Sequence, residues 1–228
     1  MQANLRRALV AVALIASAPS AFADVITDWN EKAVAFVTPR MTPPAAQRAV
    51  AMVQVAMFDA INSIERRYRR YLAQLPAPAI ASKDAAAAAA AAFVLAGLHP
   101  QAQGELKGAT TAYLSNIPDG DAKSEGMRLG EVVAAKILKA RAKDGADAAD
   151  AYRPKTKPGV YVPTPITVAS MWPNVRPFAM TSPSQFRPEP PIALNSEQWA
   201  NDYKRSRSSA PGPAASAQPS RPRTPASG

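Results

Sequence analysis

The sequence has 228 residues, no cysteine, one histidine and a formal charge of +10 at neutral pH. Without cysteine there can be no disulfide, thiolate metal centre or thiol nucleophile, and a single histidine excludes any centre that needs two imidazoles. The basic excess sits at the ends: two of the 27 basic residues precede Asp24 and five follow Tyr203, leaving 20 basic against 17 acidic residues between them, which is not the footprint of a nucleic-acid surface.

Residues Met1–Ala23 have the three parts of a cleavable secretory signal. Arg6 and Arg7 supply the positive start, Ala8 to Ala16 an apolar stretch too short to span a bilayer, and Ala21-Phe22-Ala23 the small residues before a cut at Asp24. A periplasmic or secreted protein is expected. No membrane partner is expected after cleavage, since the longest later uncharged run, Ala85 to Gly104, is mostly alanine and too weakly apolar to insert.

A first helix is predicted over Asp24 to Val37, with Val25, Ile26, Trp29, Ala33 and Phe36 on one stripe. Pro43 and Pro44 open a second, running to about Ile64, because proline is tolerated where an N–H has no helical partner. This second helix is apolar nearly all round, which predicts a place at the centre of a bundle. On it Asp59 and Asn62 are expected to form a satisfied structural pair, bonded to each other or to a neighbouring helix. Glu65 to Leu72 (ERRYRRYL) is expected to be a solvated helix end, its arginines near the C-terminal dipole and its tyrosines lying on the domain.

Ser82 is a plausible cap for a third helix that carries Ala85 to Ala92 and ends near Gly97. Eight alanines read equally well as a surface for close helix approach or as low-complexity sequence. A fourth helix is predicted over about Gln101 to Asn116 and a fifth over Asp121 to Asp144, with Met127, Val133, Ile137 and Leu138 inward and Lys123, Arg128, Lys136, Lys139 and Lys143 outward. From Tyr152 to Ile192 proline is too dense for helix or central strand. The aromatics Tyr161, Trp172, Phe178 and Phe186 predict an ordered crossover that plugs grooves of the helical body. A sixth helix, capped by Asn195 or Ser196, is expected over Glu197 to Tyr203. Residues 204–228 lack aromatics, acids and large aliphatics, and are expected to form a disordered basic tail.

These pieces define three expected regions, 1–23, 24–203 and 204–228, and an all-α helical bundle of five to six helices. They also carry a resemblance: Asp28-Trp29-Asn30, Ala51-Met52-Val53, Ala56 to Asn62, Ile117-Pro118-Asp119-Gly120, Pro158 to Tyr161, Pro163-Thr164-Pro165, Trp172-Pro173, Pro177-Phe178, Ser182 to Pro188 and Trp199 to Tyr203. In order and spacing they resemble the N-terminal half of vanadium-dependent haloperoxidases related to chloroperoxidase, within the type 2 phosphatidic acid phosphatase superfamily. Gln54 departs from the pattern, where many relatives are expected to carry histidine. The resemblance implies an all-α fold and, in active members, a pocket of lysine, arginines and histidines that holds vanadate or phosphate. Such an oxyanion needs several fixed cationic donors, one histidine to bind vanadium or attack phosphorus, and a second as acid or base.

The resemblance places those residues in a C-terminal half with lysine, Ser-Gly-His and arginine-to-histidine motifs, none of which can be placed here. His99, beside Pro100, is expected to be a helix-end residue bonded to backbone or water. No carboxylate pair, Ser-His-acid set, phosphate-cradling loop or metal-ligand cluster appears. Hence no catalytic, cofactor-binding or metal residue is assigned, and vanadate is expected only in a full-length relative. The resemblance stops at Tyr203, and residues 204–228 read like a GC-rich gene in the wrong frame, so a frameshift or truncation that removed the catalytic half is expected. The expected chain is an inactive part of a halide-oxidising or phosphate-ester-hydrolysing parent. Its partner is then the missing catalytic half, or a second copy through exposed apolar helix faces. The alternative is a non-enzymatic exported module completed by a partner chain. An anion or nucleic-acid binder acting through Arg66 to Arg70 and the tail is disfavoured by the near-neutral body.

Overall fold

The computed structural model describes residues 24–158, 160–163 and 167–209. The expected signal segment and residues 210–228 of the expected tail lie outside the described residues. Among the described residues there are six α-helices, two 3-10 turns and no strand, as the all-α expectation requires. The chain divides into two compact units. One runs to Ala151 and includes Val168–Arg176; the other comprises Tyr152–Thr167 and the chain from Pro177 onward.

In the first unit α1 spans Val25–Val37 and is capped by Asp24, whose Oδ1 accepts the Thr27 N–H at 2.8 Å. Helix α2, Pro43–Glu65, starts on its two prolines. It does not run on through the arginines. Arg66 adopts a left-handed conformation (φ 53°) that ends the helix, and Arg67 to Leu72 leave it without forming helix. The expected solvated helix end is thus a turned-back segment, because polar groups on α2 capture its backbone.

Helix α3, Lys83–Leu98, is capped by Ser82, whose hydroxyl accepts the Ala85 N–H. After a 3-10 turn at Pro100–Ala102 comes α4, Gln103–Leu114, later in starting and earlier in ending than predicted. Helix α5 covers Asp121–Arg141, three residues short of the predicted end, and Gly145 turns the chain at φ 94°.

The centre of this unit belongs to α3, which packs on α1, α2, α4 and α5. All eight alanines from Ala85 to Ala92 are buried. Helix α2 keeps an exposed side, Phe58 being 38% accessible, so its expected central place is taken by the alanine helix. The physical reason is girth. Over Ala85 to Ala92 the helix has only methyl side chains and admits neighbours on every side at short range, and α5 meets it with glycine. A Cβ on Gly126 would lie 2.3 Å from the Ser82 carbonyl oxygen, and one on Gly130 2.2 Å from that of Ala86. The alanine tract is therefore a close helix crossing. The inward face of α5 includes Gly126, Leu129 and Gly130 beside Val133 and Ile137, while Met127 and Leu138 are only half-buried.

The second unit contains α6, Glu197–Ser209, capped by the Ser196 hydroxyl on the Trp199 N–H. It runs six residues beyond the predicted end at Tyr203, since no proline or glycine stops it there. Trp199 and Tyr203, one turn apart, stack at 5.2 Å with rings 9° from parallel. In the proline-rich stretch Trp172 and Phe178 are half-buried, whereas Tyr161 and Phe186 are 75% and 77% exposed.

Candidate functional site

Three polar residues of α2 act on the segment beyond its C-terminal end. Asp59 is wholly buried and accepts three backbone N–H groups: Tyr71 on Oδ1 at 2.8 Å, and Leu72 and Ala73 on Oδ2 at 2.8 and 2.7 Å. Asn62 brackets Tyr68, accepting its N–H at 2.8 Å and donating to its carbonyl at 2.7 Å. The Ser63 hydroxyl accepts the Leu75 N–H and donates to the Asp59 carbonyl. Asp59 and Asn62 are satisfied, as expected, but their partner is neither each other nor a helix. They hold the arginine segment by its backbone, which leaves the guanidinium groups outward.

Asp59→Asn tests the clamp. It keeps one acceptor oxygen and turns an amide NH2 toward backbone donors, so about 2 kcal/mol of stability is expected to go. Hydrogen exchange at Tyr71, Leu72 and Ala73 should accelerate more than exchange in α3. Uniform acceleration would mean that Asp59 serves the whole fold rather than this segment.

A second cluster ties three parts of the first unit together. Arg48 grips Asp144 with two nitrogens, at 2.8 and 3.1 Å, and donates to the Arg141 carbonyl at 2.8 Å. Arg141 meets Asp144 at 2.7 Å and donates to the Arg176 carbonyl at 2.6 Å. Arg176 returns its N–H to the Asp144 carbonyl at 2.8 Å and its guanidinium to the Ala140 carbonyl. Burial pushes the Asp144 carboxyl up, but the Arg48 hydrogen bond, the Ala146 N–H and the charges of Arg48 and Arg141 outweigh it and hold the group below its ordinary 3.8.

His99 caps the C-terminal end of α3, as expected for a helix-end residue. Its Nδ1 lies 3.3 Å from the Gln101 side-chain amide, and its ring meets Phe36 edge-on at 5.5 Å. Nε2 is buried without a partner. Arg40, on the same phenylalanine, is engaged by Glu105 at 3.0 Å and by the Phe36 carbonyl at 2.8 Å. Gln54 donates to Asn30 at 2.6 Å, a link between α2 and α1 that uses no imidazole.

This donor set does not fit vanadate. One buried imidazole is closed off by an aromatic ring, and its charged neighbour is spent on a carboxylate and a carbonyl. Among the described residues no group of three or more His, Cys, Asp or Glu side chains could hold a metal ion. What the first unit does offer is a groove of about 410 Å³ between α3, α4 and α5, with Ala92, Phe93, Ala96, Leu106, Leu114 and Met127 along it. Phe93 is 39% exposed there.

No curated protein and no solved structure matches the chain. The family model of the vanadium chloroperoxidase N-terminal domain matches residues 22–175, the whole helical core and the Trp172 turn included. The chain belongs to the vanadium chloroperoxidase N-terminal domain family.

Proposed function

We propose that this chain is the non-catalytic helical part of an exported vanadium haloperoxidase or acid-phosphatase relative, and that alone it neither oxidises halide nor cleaves phosphate esters. The observation that carries the reading is the histidine count. The sequence has one imidazole, and the fold turns it inward against Phe36 and Gln101 rather than toward a ring of cations. A phosphate or vanadate centre of the expected kind needs one imidazole on the central atom and another for the proton. What remains for the chain is to present helix faces to a catalytic part.

Purified protein given vanadate, peroxide and bromide, and separately p-nitrophenyl phosphate, is expected to show no turnover above a mock preparation. Turnover that survives His99→Ala and is absent from the mock preparation would sink the reading. A second reading, a module completed by a separate helical chain, is favoured by the apolar groove between α3, α4 and α5. The same purification separates the two, since only the second brings down a helical partner in stoichiometric amount.

A further inference from the structure

None of the ion pairs seen among the described residues involves Arg69, Arg70, Lys136 or Lys139. These four cations nevertheless come together. Arg70, Lys136 and Lys139 line a hollow of about 650 Å³ between the turned-back segment and the outer face of α5. Leu72, Leu75 and Ala140 give that hollow an apolar side. A second hollow of about 480 Å³, which shares Arg70, Leu72 and Gln74 with the first, adds Arg69 and Tyr71. No carboxylate lines either one.

Two features set this groove apart from a chance gathering of surface cations. The backbone that carries Arg69 and Arg70 is pinned by Asn62, Asp59 and Ser63 at Tyr68, Tyr71, Leu72, Ala73 and Leu75, so the guanidiniums project from a fixed frame. The carboxylate that holds this frame, Asp59, is buried and its oxygens are taken up by three backbone amides, so it makes no ion pair with Arg69 or Arg70. Cations gathered in one groove without ion-pair partners raise the local potential and favour an anion. Guanidinium supplies paired donors to tetrahedral oxygens and ammonium supplies point charge, while an apolar wall rewards a hydrocarbon attached to the anion.

We infer that this groove binds a phosphate group carried on an apolar body, through Arg69, Arg70, Lys136 and Lys139. The site holds no histidine, so it is a binding site separate from the family's oxyanion chemistry, and it stands whether or not the proposed function does. The shared ligand chemistry has two sources, a soluble aryl or alkyl phosphate and the headgroup of an anionic lipid.

The test titrates the full purified chain with inorganic phosphate and with phenyl phosphate by calorimetry, and sediments it with phosphatidylglycerol or phosphatidylcholine vesicles. Phenyl phosphate or phosphatidylglycerol is expected to bind, more tightly than inorganic phosphate or phosphatidylcholine respectively, and less tightly as salt rises. Binding to phenyl phosphate marks a soluble ester as ligand; binding to vesicles alone marks a lipid headgroup. The double variant R70Q/K139Q is expected to weaken binding at least about tenfold without moving the melting temperature, with R69Q as a milder single change. The charge-matched R205Q/R207Q should leave affinity nearly unchanged. The inference is overturned if neither phenyl phosphate nor phosphatidylglycerol binds, or if R205Q/R207Q weakens binding as much as R70Q/K139Q.

Discussion

Asp144→Ala is expected to remove about 3–5 kcal/mol of stability, the cost of leaving buried charge without its counter-ion. Both side chains of the Arg141–Asp144 pair are 2% exposed, and Arg48 is 15% exposed. Deleting the carboxylate takes this counter-ion from both Arg48 and Arg141, and it also loosens the segment around Arg176, whose carbonyl the Arg141 guanidinium holds. The pH dependence has a definite sign. Because the folded carboxyl titrates below its ordinary 3.8, its contribution is fully present above about pH 4 and fades as pH falls through the folded value. Melting temperature against pH should therefore drop steeply below about pH 4 in the parent protein, and Asp144→Ala should lack that share of the drop. A variant as stable as the parent at pH 7, with an unchanged acid limb, would show that the cluster is solvated and contributes little.

This cluster also shows where sequence reading ends. Arg48 and Asp144 are 96 residues apart, and nothing local marks either as a partner; each reads as one more charge on a predicted helix. The local signals are legible. Asp24 and Ser82 cap where a side-chain oxygen precedes a helical run, and Pro43 opens α2 because its missing N–H is harmless there. Asp59 and Asn62 are recognisable as structural, since buried polar groups on an apolar helix must be satisfied. Their partner is not, because acceptance of backbone N–H groups leaves no trace in the side chains of Tyr71, Leu72 and Ala73. The turn at Arg66 is hidden for a related reason. A left-handed arginine is uncommon, and what selects it is the pull of Asn62 and Asp59 on the chain beyond. The arginine groove needs Lys136 and Lys139 brought from α5, which only the tertiary fold can do.

The alanine tract is the case that composition alone could not decide, and a single substitution decides it energetically. Gly130→Ala is expected to destabilise the protein by about 3 kcal/mol, although alanine is the better helix former by about 1 kcal/mol. The added methyl would sit 2.2 Å from the Ala86 carbonyl oxygen and 2.9 Å from the Ala90 nitrogen. Both obstacles are backbone, so no rotamer change relieves them. The helices must move apart along their crossing, which opens contacts around Val133, Ile137 and the buried alanines. Gly108→Ala in α4 supplies the contrast, because nothing lies within 4 Å of a Cβ there. There only the propensity gain remains, up to about 1 kcal/mol. With a shift of about 2–4 °C per kcal/mol for a chain of this size, Gly130→Ala should melt about 6–12 °C below the parent and Gly108→Ala about 2–4 °C above it. The same substitution then carries opposite signs at two helical glycines. Equal stability of both variants would mean that α3 and α5 do not touch through backbone, and that the eight alanines are composition rather than a packing surface.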